Sequence, residues 1–238
     1  MSPLTIAQQS PAHPDLEADF IAAQAACQRF TMTSIERRYA LWQAIHHVVH
    51  RHVEGAFVEC GVWRGGSSML AAMALRQLGD ERRQLWLYDT FEGMSEPSDH
   101  DVEAATGTRA AEHPDIINRS IESNVFAYAE LDEVRFNIAR TGYPENRLHF
   151  VQGMVEDTLP QYAPDRIAVL RLDTDWYEST RHELEHLWHR LEPGGVLIID
   201  DYGHWAGARK AVDEFFAGRA DAPLLCRIDY TGRIGIKR

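Results

Sequence analysis

Apolar positions along the chain change period several times, and each change marks an element. Ile35, Tyr39, Trp42, Ile45 and Val49 recur at helical intervals, and Thr33 with Glu36 stands at capping-box spacing ahead of them. That spacing predicts a helix over 34–52. The run AFVECG (56–61) is short, apolar and closed by glycine, and it leads through VWRGGSS into a helix at about 66–78. Further strands are expected at QLWLYD (84–89), RLHFV (147–151), IAVLRLD (167–173) and GVLIIDD (195–201). Helices are expected at 178–191, with the PGG of 193–195 as a stop signal, and at 206–217. A weaker helix near 15–29 precedes all of these, and 223–237 reads as a hairpin turning near Thr231–Gly232.

Strands that alternate with helices imply parallel βαβ units. Apolar runs without clean alternation imply a sheet covered on both faces. The closing hairpin should bring the last strand in antiparallel. The expected fold is therefore α/β, a doubly wound Rossmann-like sheet with a C-terminal antiparallel hairpin strand, and ligands of such sheets bind outside the carboxyl ends of the strands.

Composition narrows the function. The 238 residues suit one large domain, or at most two small ones. A net charge of −12 makes nucleic acid a poor partner, and no basic run offsets it. No apolar run approaches the ~20 residues of a membrane helix, and the first residues lack the basic and apolar parts of a signal peptide. A cytoplasmic protein without membrane contact is expected. Cys27, Cys60 and Cys226 form no C-x-x-C pair, which argues against a disulfide framework or zinc knuckle.

Carboxylates gather where the fold puts a ligand. Glu59 lies near the end of the first strand, Asp89 ends the second, Asp173 the fourth, and Asp200 and Asp201 the fifth. ECGVWRGGS (59–67) is not the G-x-G-x-x-G of nicotinamide enzymes, but Gly61, Gly65 and Gly66 permit a tight strand-to-helix turn. Asp89 is placed to accept hydrogen bonds from ribose hydroxyls. If the fourth and fifth strands are neighbours, ~4.8 Å apart, Asp173, Asp200 and Asp201 share one rim. Carboxylates packed so closely repel unless protonated or bound to a cation, and all-oxygen ligands suit Mg²⁺, Mn²⁺ or Ca²⁺. Asp175, two residues past Asp173, is the first candidate general base, and His204 the second. The alternative for these acids is capping of the following helices.

His182–His186 reads H-E-L-E-H, a literal zinc-protease motif. Leu184, Leu187, Trp188 and Leu191 define the buried stripe of that helix, and at ~100° per residue both histidines fall on the opposite side. A peptidase is not expected.

TMTSIERRYAL (31–41), FVECGVWRGGSSMLAA (57–72), LYDTFEGM (87–94), FVQGMVEDTLP (150–160), LRLDTDWYEST (170–180) and LEPGGVLIIDDYGHWAGARKAVDEFF (191–216) together resemble the macrocin O-methyltransferase family. Its members methylate sugar hydroxyls of macrolide and aminocoumarin antibiotics. The resemblance spans about 31–216 and implies the seven-stranded class I methyltransferase sheet, with S-adenosylmethionine as cofactor and Mg²⁺ or Mn²⁺ as metal. Glu59, Gly61, Ser67 and Asp89 would line the cofactor site, Thr31 and Met32 would close over it, and Gly153 and Met154 would lie near the adenine. Asp173, Asp200 and Asp201 would bind the metal, and Asp175 matches the base of some members. Residues 1–33 would be an N-terminal helical or lid segment and 34–238 the methyltransferase domain, with a lid insertion at about 92–125 that orders on ligand binding. A homo-oligomer, as a dimer, and a glycosylated small-molecule acceptor are implied. Competing readings are a phenolic or N-acceptor methyltransferase, a non-catalytic S-adenosylmethionine-binding module, and a nicotinamide dehydrogenase. Retention of four acids on one rim argues against the module, and the missing glycine fingerprint against the dehydrogenase.

Overall fold

The structure is a computed structural model, and it describes residues 13–113 and 128–238. Seven strands form one sheet: β1 (Ala56–Cys60), β2 (Leu85–Asp89), β3 (Leu148–Gln152), β4 (Ile167–Leu172), β5 (Leu191–Ile199), β6 (Cys226–Arg227) and β7 (Arg233–Ile236). Their order is β3-β2-β1-β4-β5-β7-β6. The first five strands pair in parallel, and β7 enters antiparallel to β5. The strand order reverses at β1 and β4, so the ligand crevice lies at their carboxyl ends. β4 and β5 are indeed neighbours, in register from Val169↔Val196 to Leu172↔Ile199.

The helices are α1 (Ala18–Cys27), α2 (Ile35–His50), α3 (Gly66–Gln77), α4 (Leu131–Ala139), α5 (Val155–Thr158), α6 (Tyr177–Leu187) and α7 (Ala206–Phe216). They cover both sheet faces. Phe57 packs into a core with Phe20, Trp42 and Leu70, whereas its neighbour Val58 packs into a second core with Leu184, Trp188 and Val212. Burial on two sides is why β1 and β4 show no alternation. Leu16, Phe20, Ala23 and Cys27 belong to the first core, so the described part of the N-terminal segment is built into the domain.

Two boundaries differ from expectation. Ser34 rather than Thr33 caps α2, its Oγ accepting from the Arg37 amide at 3.1 Å, while the Thr33 hydroxyl turns to that of Thr31 at 2.9 Å. The PGG run lies inside β5, which starts at Leu191 opposite a register shift in β4. Residues 95–113 are docked: Val102 pairs with Arg109, Glu103 pairs with Trp205, and Asp101 is fully buried. Of the insertion expected at about 92–125, residues 114–125 lie outside the described ones, as do residues 1–12 of the N-terminal segment. No described helix is long and apolar enough to cross a membrane.

Candidate active site

A cavity of about 400 Å³ opens at the carboxyl ends of the strands. Thr31, Met32, Gly61, Ser67, Asp89, Gly153 and Met154 line it, and so do Asp173, Asp175, Asp200, Asp201 and His204. Of the residues expected to bind cofactor or metal or to move the proton, only Glu59 is missing from its wall.

The glycine turn after β1 shapes one end. Gly61 has φ of +83°, and a Cβ there would collide with the carbonyl of Asp173, so β1 and β4 approach too closely for any side chain. Asp89 organises this turn. Its Oδ2 accepts from the amides of Val62 at 2.7 Å and Trp63 at 2.9 Å, and its Oδ1 accepts from the Phe91 amide at 2.8 Å. The sequence assigned this carboxylate to a ligand hydroxyl. Three of its roughly four acceptor positions are already held by the backbone, and the Thr90 hydroxyl, which donates to the Gly93 carbonyl at 2.5 Å, also lies 3.5 Å from Oδ1. Thr31 Oγ1 reaches Ser67 Oγ at 3.5 Å, tying the segment before α2 to the first turn of α3. Met32 and Met154 are 56% and 42% exposed and form an apolar rim. Trp63 lines the same cavity, and its buried indole N–H finds no partner among the described residues.

The acids gather at the other end. One carboxylate oxygen each from Asp173, Asp200 and Asp201 lies within 4.8 Å of the others. Burial, and then repulsion from the neighbouring carboxylates, push Asp173, Asp175 and Asp201 well above the usual carboxylate range. Arg171 opposes this shift at Asp173. Asp201 Oδ2 is buried and has no hydrogen-bond partner among the described residues. An orphaned carboxylate oxygen beside two further hard oxygen donors fits a divalent cation of the Mg²⁺ type.

Asp175 does not continue β4 as extended chain. It adopts φ of +66°, which is strained for a residue with a side chain, yet its carboxylate still reaches the cluster. Trp205 Nε1 donates to its Oδ1 at 3.1 Å. His204 is half-buried against Trp205 and Tyr230, and desolvation pushes its imidazole below the ordinary value, toward the neutral form.

Glu59 needs correction as a cavity residue. It is 1% exposed, and it points to the α3 face of the sheet, toward Ser68 and its cross-strand neighbour Arg171. His182 and His186 pack against each other, ring centroids 4.3 Å apart, with His182 facing the Leu159 carbonyl. They are not in the cavity. The aspartate trio is the one candidate metal cluster among the described residues.

Sequence reasoning missed Arg37, Trp63 and Trp205, which also line the cavity. All three lie inside quoted motifs, IERRYAL, CGVWRGG and YGHWAG. Reading only acids and glycines in those motifs passed over the cation and the two indole donors.

A model of the family described as macrocin-O-methyltransferase (TylF) matches residues 6–234. The chain is 36% identical over 219 residues to the 8-demethyl-8-(2,3-dimethoxy-alpha-L-rhamnosyl)-tetracenomycin-C 4'-O-methyltransferase of Streptomyces olivaceus, covering 92% of this chain and 80% of that protein. It is 34% identical to the demethyldecarbamoylnovobiocin O-methyltransferase of Streptomyces niveus, covering 85% of this chain and 73% of the relative. Among solved structures, the O-methyltransferase NovP superposes with a TM-score of 0.73 at 32% identity, covering 87% of this chain and 81% of that one. The calicheamicin methyltransferase CalS11, at 17% identity and a TM-score of 0.67, shares the fold.

Proposed function

From the premise that this chain belongs to the macrocin O-methyltransferase family, we propose that it methylates a hydroxyl on the sugar of a glycosylated small molecule, with a divalent cation held by Asp173, Asp200 and Asp201. The chain is an S-adenosylmethionine-dependent O-methyltransferase. The carrying observation for the cation is the buried, unpartnered Asp201 Oδ2 within a trio of carboxylates. For the acceptor it is that the Streptomyces olivaceus relative is named as a 4'-O-methyltransferase of a rhamnosyl-tetracenomycin and the Streptomyces niveus relative as an O-methyltransferase of demethyldecarbamoylnovobiocin.

When bound, S-adenosylmethionine supplies an electrophilic methyl group and a divalent cation supplies Lewis acidity toward the acceptor hydroxyl. The protein's own groups do the remainder. Asp89 accepts a cofactor hydroxyl at Oδ1, beside the long Thr90 contact, and Thr31, Met32, Gly61, Ser67, Gly153 and Met154 enclose the cofactor. Asp175, held at one oxygen by Trp205, accepts the hydroxyl proton. His204, kept neutral by burial, is the second proton acceptor at the same rim. Rate enhancement comes from alignment and from the electrostatics of a site fixed before the substrate arrives. Gly93, Met94 and Ser95, at the start of the insertion, form part of the acceptor-side wall, and the working unit is a homodimer, which light scattering would check.

Calorimetry of S-adenosylhomocysteine, with and without Mg²⁺, on wild type and Asp89→Ala tests the cofactor reading. Micromolar binding lost in the variant supports it, and no binding to wild type would sink it. A glycoside panel assayed for methyl transfer, with chelator and with Mg²⁺ restored, tests the acceptor and metal. Turnover of free phenols but not glycosides would favour the non-sugar reading.

A further inference from the structure

Glu59 and Arg171 sit opposite each other in register on β1 and β4, and neither faces the cavity. Their side chains are 1% and 3% exposed. Arg171 Nη1 donates to Glu59 Oε1 at 2.7 Å, and Ser68 Oγ holds the other Glu59 oxygen. The same guanidinium reaches forward. Nη1 donates to Asp173 Oδ2 at 2.7 Å and Nη2 to Asp200 Oδ1 at 2.6 Å. One planar fork thus joins an acid behind the rim to two of the three aspartates on it.

A buried guanidinium persists only where its charge is paired and its donors are used. Asp173 and Asp200 alone would supply that pairing, but they would then be committed to Arg171. Glu59 is the counter-ion with no other task, since it has no contact with the cavity.

We propose that Glu59 and Arg171 are positioning residues for the cation site: Glu59 anchors Arg171 from behind, and Arg171 fixes one oxygen of Asp173 and one of Asp200. The second oxygen of Asp173 is thereby left toward the cavity, while that of Asp200 is held by Arg37 from the cavity side. This rests on Asp173, Asp200 and Asp201 holding a cation. Without the Glu59 charge, Arg171 presents its full positive charge to Asp173 and Asp200. It then competes with a divalent cation and also loses its rear anchor. Both effects weaken cation binding. The cofactor end of the cavity shares no atom with this relay and should not respond.

The test uses the full chain with two readouts, Mn²⁺ binding followed by the paramagnetic resonance of free Mn²⁺, and S-adenosylhomocysteine binding by calorimetry. Glu59→Gln is nearly isosteric and keeps the Ser68 contact. Arg171→Lys keeps the charge and loses the fork. Both should raise the Mn²⁺ dissociation constant roughly 10- to 100-fold, the range seen when groups that orient metal ligands are changed. Affinity for S-adenosylhomocysteine should not change, whereas a general loss of structure would lower both. Unchanged Mn²⁺ binding in Glu59→Gln overturns the proposal, and so does any loss of S-adenosylhomocysteine affinity, which would return Glu59 to a cofactor contact. Wild type that binds S-adenosylhomocysteine but not Mn²⁺ would instead sink the cation reading and this proposal with it. If Glu59→Gln does not fold, Ser68→Ala removes only the second anchor of Glu59 and should give the same split at smaller amplitude.

Discussion

Asp101 tests whether the wall of the site is fixed before ligand arrives. It is fully buried, and its Oδ1 accepts from the Tyr177 amide at 2.8 Å, at the first residue of α6. Its Oδ2 accepts from the Ser98 amide at 2.7 Å and the Ser98 hydroxyl at 2.8 Å. One carboxylate thereby staples the 95–113 segment to the helix that follows Asp173 and Asp175. Asp101→Ala leaves the Tyr177 N–H buried without a partner. The Ser98 N–H is only half-buried and can recover water. An unsatisfied buried donor costs about 1–3 kcal/mol, so the two together should cost about 2–4 kcal/mol. At about 2–4 °C per kcal/mol for a chain of this size, the melting temperature should fall by roughly 5–15 °C. Asp101→Asn keeps the Tyr177 contact and should cost about 1 kcal/mol. The assay pairs thermal melts with timed trypsin cleavage at Arg109, which lies in the segment and pairs with the exposed Asp99. Faster cleavage at Arg109 with an unchanged melt would mean that the segment opens as a separate unit. If neither the melt nor the cleavage changes, Asp101 is not the staple and the wall is held otherwise.

Three further outcomes are expected. Trp205→Phe removes the indole donor to Asp175 and should lower kcat about 2- to 12-fold, the worth of one hydrogen bond, with little change in KM for S-adenosylmethionine. Arg37→Gln frees the Asp200 oxygen that Arg37 now occupies and should tighten Mn²⁺ binding several-fold; weaker binding would make Arg37 a support of the site rather than a competitor. Burial pushes the Cys27 thiol up to about 11 and the Cys60 thiol well above its ordinary value, while Cys226 is exposed, so a thiol reagent at pH 8 should titrate one cysteine in the native protein and three after denaturation.

Much of this molecule is decided along the chain. Apolar spacing in 35–49 and the unalternating runs of β1 and β4 suffice for helices on both faces of a parallel sheet. Parallel βαβ units send every strand end to one rim, so acids that close strands β2, β4 and β5 must meet there, whatever else the chain does. That is why the aspartate trio was legible, and why helical phase alone set His182 and His186 apart from it. What each acid does there depends on partners that no local period encodes. Arg171 and Glu59 are 112 positions apart, and Arg37 and Asp200 are 163 apart. β1 and β4 being neighbours turns Glu59 inward to a guanidinium instead of outward to a ligand. The close turn at Gly61 brings two amides onto Asp89, and the docking of 95–113 buries Asp101 at the start of α6. A charge removed from water must be met by whatever the fold brings beside it, and that neighbour is a property of the packed chain.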